Sequence, residues 1–181
     1  AALIQDLKQR GMLDDTLIVY QSDNGGVRSS KFAGEGDVSK LVLPADNGPY
    51  RDGKGTLYEG GTRVIALANW RGHIKSGTVV DGPMHVVDMY PTLVAVAGGS
   101  TAKSKPLDGL DMWPTISANK PSPRETTIYS IEPQQAAIAK GDWKLIWQVT
   151  LPSKVELFNL AEDPYEKTDL ADSNPRKVAE L

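Results

Sequence analysis

Asp23 and Asn24 follow the apolar run Leu17-Ile18-Val19-Tyr20 after Gln21 and Ser22 and stand directly ahead of Gly25 and Gly26. Both side chains offer hard oxygens, and paired glycines let the backbone turn tightly enough to aim both at one point, as a divalent cation requires. The same residues describe an Asx turn closing a strand equally well, and their spacing does not separate the two readings. Downstream, GKGTLYEGGTR sets Lys54, Glu59 and Arg63 among glycines. Taken by itself Lys54 reads as a solvated loop lysine. His85, beside an apolar helix, and His73, in a GHIKSG turn, read as structural despite the ability of imidazole to titrate near neutrality. With no cysteine in the chain there is no disulfide framework, thiolate metal site or cysteine nucleophile.

The elements that must position these residues can be read from periodicity. AALIQDLKQRG places Leu3, Ile4 and Leu7 on one helical face, with Gly11 at the C′ position. Leu17 to Tyr20 has the character of a strand buried on both faces of a parallel sheet, and ligands of open α/β sheets sit beyond the carboxyl ends of such strands. A helix feeding a strand is half of a βαβ unit, so the preceding strand is expected upstream of this sequence. From Gly26 to Gly53 periodicity is lost, which fits a functional loop or lid and equally a mobile insertion. A second buried strand is expected over Val64 to Ala68, then a turn-rich connection from Trp70 to Gly82. HVVDMYPTLVAVAGG reads as a helix with Asp88 as candidate N-cap, Pro91 near its first turn and Gly98-Gly99 closing it. Beyond a linker at Ser117 to Arg124, TTIYSI, AAIAKGDWKLIWQV and KVELFNL are strands joined by short turns at 132–135, 141–142 and 151–154, hence an antiparallel sheet. A terminal helix is expected from Asn174-Pro175.

The 181 residues, 40% of them hydrophobic, can bury a core in one large domain, or a domain plus a small appendage. A net charge of −3 without any basic run argues against a nucleic-acid partner. No apolar stretch approaches the roughly 18 residues that span a bilayer, and Gln5, Asp6, Lys8, Gln9 and Arg10 exclude a signal peptide from the first ten positions.

The order SDNGG, GKGTLYEGGTR, HVVDMYPTLVAVAGG, LDGLDMWPTI, GDWKLI, ELFNLAEDPYEKTDL resembles the C-terminal portion of the formylglycine-dependent sulfatases, arylsulfatases especially. Each motif is weak alone; six in one order are specific, and they leave uncovered only the loop from Val27 to Pro49. The resemblance implies an α/β fold: the C-terminal part of an alkaline-phosphatase-like mixed sheet sandwiched by helices over residues 1–120, then a small antiparallel-sheet plus helix subdomain over residues 121–181. It implies hydrolysis of sulfate esters, with Asp23 and Asn24 as oxygen ligands of a divalent cation, as a rule calcium, and Lys54 as the residue that contacts the sulfate group. A Lewis acid and an ammonium both stabilise charge on sulfate oxygens. Glu59, Gly60, Gly61 and Arg63 fall in the same block as scaffolding, the Glu59 carboxylate meeting backbone N–H groups and Arg63 in a bidentate ion pair that fixes the turn. Asp88 and Pro91-Thr92 are likewise structural, and Tyr50 and Arg51 lie near the expected site.

The departures from the family pattern are as informative. The nucleophile of these enzymes is a formylglycine made from Cys or Ser in a Cys/Ser-x-Pro-x-Arg motif, and no such motif is present; Ser122-Pro123-Arg124 lacks the spacing and sits in a linker. The paired aspartates, Gly-Lys signature and histidine expected upstream of Asp23 are absent too, and Ile65 stands where many members have Pro. Calcium takes about six to eight oxygens, which two side chains cannot supply. The expectation is a part of a sulfatase, inactive alone, whose incomplete central sheet exposes an edge that promotes association. Two alternatives stay open: part of a related phosphatase or phosphonate hydrolase, or a non-catalytic binding module.

Overall fold

The computed structural model describes residues 2–28, 45–149 and 152–181. It is a mixed α/β chain with one antiparallel two-stranded sheet, one antiparallel four-stranded sheet and short helices, in the expected fold class. Two compact units interleave along the sequence: residues 1–21 with 66–125, and 22–65 with 126–181. One junction between the units falls at residues 125 and 126, and the stretch 22–65 belongs with the C-terminal sheet.

In the first unit α1, Ala2–Gln9, ends as its sequence dictates. Gly11 adopts φ +69°, Met12 N–H reaches the Leu7 carbonyl at 2.9 Å and Gly11 N–H the Lys8 carbonyl at 3.1 Å, the paired bonds of a Schellman stop. Strand β1, Ile18–Gln21, pairs antiparallel with β2, Ala66–Asn69, in the register Ile18↔Asn69 to Gln21↔Ala66. This corrects the parallel, doubly buried strand expected at Leu17 to Tyr20, since Tyr20 is 64% and Leu67 63% exposed. An apolar run suits either strand direction and does not disclose its partner, which here is a distant segment. The second strand starts at Ala66, two residues later than expected.

Helix α3, Met89–Val96, follows a 3₁₀ turn at Val86–Asp88 and stops at Gly98, φ +73°, again with Schellman bonds to Ala95 and Val94. Asp88 takes the N-cap position that the sequence assigned to it, without a side-chain capping bond to α3. Its buried carboxylate accepts the N–H groups of His85 (2.7 Å) and Leu110 (2.8 Å) and is paired with Arg124, which holds its pKa below the ordinary value despite the opposing cost of burial. The His85 ring Nδ1 takes the Val87 N–H, a structural role as expected. Ser122 also proves structural, its hydroxyl donating to the Pro83 carbonyl. Helix α4, Trp113–Ala118, completes this unit.

The second unit is built on a meander: β3, Thr126–Glu132; β4, Gln135–Lys140; β5, Trp143–Gln148; β6, Lys154–Asn159. The strands match the sequence reading; the third turn includes residue 151, outside the described residues. Helix α5, Pro175–Glu180, begins at the expected Asn174-Pro175 pair. The register sets Thr127, Ala139, Lys144 and Phe158 in one cross-strand row and Tyr129, Ala137, Ile146 and Glu156 in the next. These rows form the buried face, and Leu57 and Tyr58 from the glycine-rich segment join Ala137, Ile146 and Phe158 in its core.

Candidate functional site

The short turn α2, Glu59–Thr62, links the C-terminal sheet to the Asp23-Asn24 turn. Its sequence, Glu-Gly-Gly-Thr, is a poor helix former, so its shape must be imposed by neighbours. The glycines let backbone meet backbone: a Cβ on Gly25 would collide with the Gly60 carbonyl, and one on Gly60 with the carbonyls of Arg51 and Asp52. Gly25 N–H donates to the Gly61 carbonyl (3.0 Å) and Gly60 N–H to that of Arg51 (2.8 Å).

Asp23, Asn24 and the Lys54 backbone are thereby brought together. The Gly26 carbonyl accepts the Lys54 N–H at 3.1 Å and the Asn47 side-chain amide at 3.0 Å, while Asn47 Oδ1 accepts the Gly26 N–H at 2.8 Å. Asn47 also donates to the Asp52 carbonyl at 2.9 Å. Asp23 and the Lys54 side chain are exposed, and Asn24 is half-buried. Asn24 Oδ1 is fully buried without a hydrogen-bond partner among the described residues. An orphaned amide oxygen fits a cation ligand in chemistry and in direction of charge. Among the described residues no group of three or more His, Asp or Glu could hold a metal. Of the long loop read from Gly26 to Gly53, residues 29–44 lie outside the described residues.

Beneath the turn lies a charged cluster. Lys144, fully buried, places Nζ 2.8 Å from Glu59 Oε1, 3.3 Å from Thr62 Oγ1 and 3.2 Å from Glu166 Oε1. Glu166 Oε2 accepts the Glu59 N–H at 2.6 Å. Arg63 Nε lies 2.7 Å from Glu59 Oε2, a single charge-assisted bond where a bidentate pair was expected, and the Glu59 oxygens meet Arg63 and Lys144 where backbone N–H groups were expected. Burial resists ionisation of Glu59, but Lys144 and Arg63 outweigh it and hold the carboxyl below its ordinary pKa; in Glu166 burial wins and the pKa rises. Beside them Glu156 receives Arg51 (3.1 Å), Lys154 (2.9 Å) and the Tyr58 hydroxyl (2.6 Å), and the Arg51 guanidinium lies 3.8 Å over the Tyr58 ring. These bonds keep the Glu156 carboxyl low against the cost of its burial, while burial foremost drives the Tyr58 hydroxyl up.

Sequence reasoning did not select Asn47, Lys144, Glu156 or Glu166. Asn47 lies in an aperiodic stretch. Alternation in WKLIWQ makes Trp143, Leu145 and Trp147 the apolar face, yet Trp147 is 45% exposed and Lys144 buried. The available signal was a charge set inside an otherwise apolar strand, Lys144 in WKLIWQ and Glu156 in KVELFN, with acidic residues in the GG and DPYE blocks to answer the lysine.

A carboxylate, an amide oxygen and an ammonium-bearing loop held to one glycine can address a hard cation and an anionic ester together. Comparison with known proteins narrows that class. The family model described as Sulfatase matches residues 1–100. Arylsulfatase J of Mus musculus is 28% identical, covering 97% of this chain and 35% of its own length. Arylsulfatase A of Bos taurus is 31% identical, covering 95% and 36%. The solved structure of Ps i-CgsB superposes with TM-score 0.82 at 33% identity, covering 99% of this chain and 37% of that one. The chain belongs to the sulfatase family and spans about a third of the length of the curated relatives it matches.

Proposed function

We propose that this chain contributes to a sulfuric ester hydrolase of arylsulfatase type, in which Asp23 and Asn24 are oxygen ligands of a divalent cation, calcium, and Lys54 contacts the sulfate group. The observation that carries this reading is Asn24 Oδ1, a buried acceptor without a hydrogen-bond partner among the described residues, in the turn whose Gly26 carbonyl receives the Lys54 N–H. Leaving such an oxygen unmet costs about 1–3 kcal/mol, a cost a cation would remove. When bound, the cation supplies Lewis acidity to the sulfate oxygens. Lys54 places a compact positive charge against the same group, with its backbone fixed so that little reorganisation is needed. Gly25 orients the two ligands through close backbone contact with the α2 turn, and Gly26 through its bonds to Asn47 and Lys54. Two side-chain oxygens leave most of a calcium shell to other residues, and the formylglycine must come from a motif that these 181 residues do not contain.

The test has two arms. The chain alone should give no turnover of a chromogenic aryl sulfate above a boiled control. With the formylglycine-bearing part present, Lys54→Ala and Asp23→Asn should each lower aryl sulfate turnover by about 10²–10³-fold. Wild-type rates in both variants would overturn the roles, and preference for an aryl phosphate would move the protein to phosphoryl chemistry.

A further inference from the structure

Lys144 stands far from the Asp23-Asn24 pair in sequence, on a strand of the C-terminal sheet, and its charge is wholly buried. Buried ion pairs seldom stabilise a fold more than apolar residues of the same volume would, so stability alone accounts poorly for an ammonium here. Its partners are selective. Glu59 and Thr62 are the two ends of the α2 turn, and the third partner, Glu166, holds the Glu59 N–H with its other oxygen. The turn is therefore gripped by side chain and by backbone from the same charged cluster. Within it the Gly61 carbonyl receives the N–H of Gly25, the residue next to Asn24.

We propose that Lys144 is a positioning residue: through Glu59 and the Gly60-Gly61 turn, the C-terminal sheet sets the orientation of the Asp23-Asn24 turn. A turn of Glu-Gly-Gly-Thr has no intrinsic preference strong enough to hold this shape. Every element of the path lies in one compact unit, residues 22–65 with 126–181. The consequence for cation binding rests on the ligand roles proposed for Asp23 and Asn24; the mechanical coupling does not.

The experiment compares the 181-residue chain with Lys144→Met and with the charge-balanced double variant Lys144→Met/Glu166→Gln, which leaves Glu59 paired to Arg63. Amide hydrogen exchange is measured residue by residue, and calcium is titrated by calorimetry. In the double variant, exchange at Gly25, Gly60 and Gly61 should accelerate by about tenfold or more, the equivalent of one lost hydrogen bond, while β3 and β4 amides keep wild-type protection. Calcium affinity should fall by about tenfold alongside. Unchanged protection at Gly25, or a uniform loss across the sheet, would overturn the proposal. Should Lys144→Met alone not fold, the double variant decides. If wild type binds no calcium, as two oxygens of a shell of about six to eight allow, the exchange pattern alone judges the coupling.

Discussion

At the scale of single residues, the site depends on polar groups that satisfy backbone rather than touch a substrate. Asn47 is the plainest case, because one side-chain amide meets both the N–H and the carbonyl of Gly26 and reaches the Asp52 carbonyl as well. Asn47→Ala should cost about 1–3 kcal/mol in urea denaturation followed by tryptophan fluorescence, since Gly26 N–H loses its acceptor. A loss below a few tenths of a kcal/mol would mean that water substitutes freely. Lys54 and Asp23 carry the opposite expectation: both are exposed, so Lys54→Ala and Asp23→Asn should cut turnover while leaving the melting temperature within a few degrees. No local pattern marked Asn47, because an Asn in a Gly- and Asp-rich stretch is what any loop contains. Asp23 and Asn24 were legible as oxygen donors, but the burial of one oxygen and not the other is set by residues brought over them.

Among the elements, α1, α3, α5 and the meander were legible, while α2, α4 and the pairing of the first sheet were not. Gly11 and Gly98 stop their helices at positive φ, and Gly141 at φ +56° closes the β4–β5 hairpin, each for the local reason that glycine lacks a Cβ. Pairing of β1 with β2 needs a partner that periodicity cannot name. The same limit hid the role of Asp88, whose carboxylate ties the start of α3 to Leu110 and Arg124. Arg124→Met should destabilise the unit of residues 1–21 and 66–125 by about 3–5 kcal/mol in denaturant titrations, because it strands a carboxylate that is 1% exposed. Asp88→Asn should cost less, as the amide still accepts hydrogen bonds and Arg124 keeps the Asp108 carbonyl at 2.9 Å.

Over the whole molecule the buried carboxylates give stability a defined pH dependence. Asp88, Glu59 and Glu156 have depressed pKa values in the fold, so each contributes stability above its ordinary pKa of 3.8 or 4.5 that is lost as pH falls through the lower folded value. Glu166 has the reverse sign: its folded pKa is raised, and its contribution is lost as pH rises through that value. Thermal melts should therefore show falling midpoints on acidification below about pH 4.5, and Glu166→Gln should remove the opposing gain in stability that Glu166 gives on acidification from neutral pH towards about 4.5. A flat profile would contradict the ion pairs.

The sequence by itself determined the helix stops, the four-strand meander, the absence of a cysteine nucleophile and, through the order of its motifs, the sulfatase family. Those features are local: a glycine at positive φ, a proline at a helix start, an alternating strand, a missing residue type. Only the tertiary structure decided the partner of β1, the burial of Asn24 Oδ1 and the joining of residues 22–65 to the C-terminal sheet. It alone decided, too, that a lysine on the nominally polar face of β5 is fully buried. The physical reason is distance along the chain. Glu59 meets Glu166 from 107 residues away and Tyr58 meets Glu156 from 98, contacts that leave no periodic trace in either segment and exist only once the loops between them have closed.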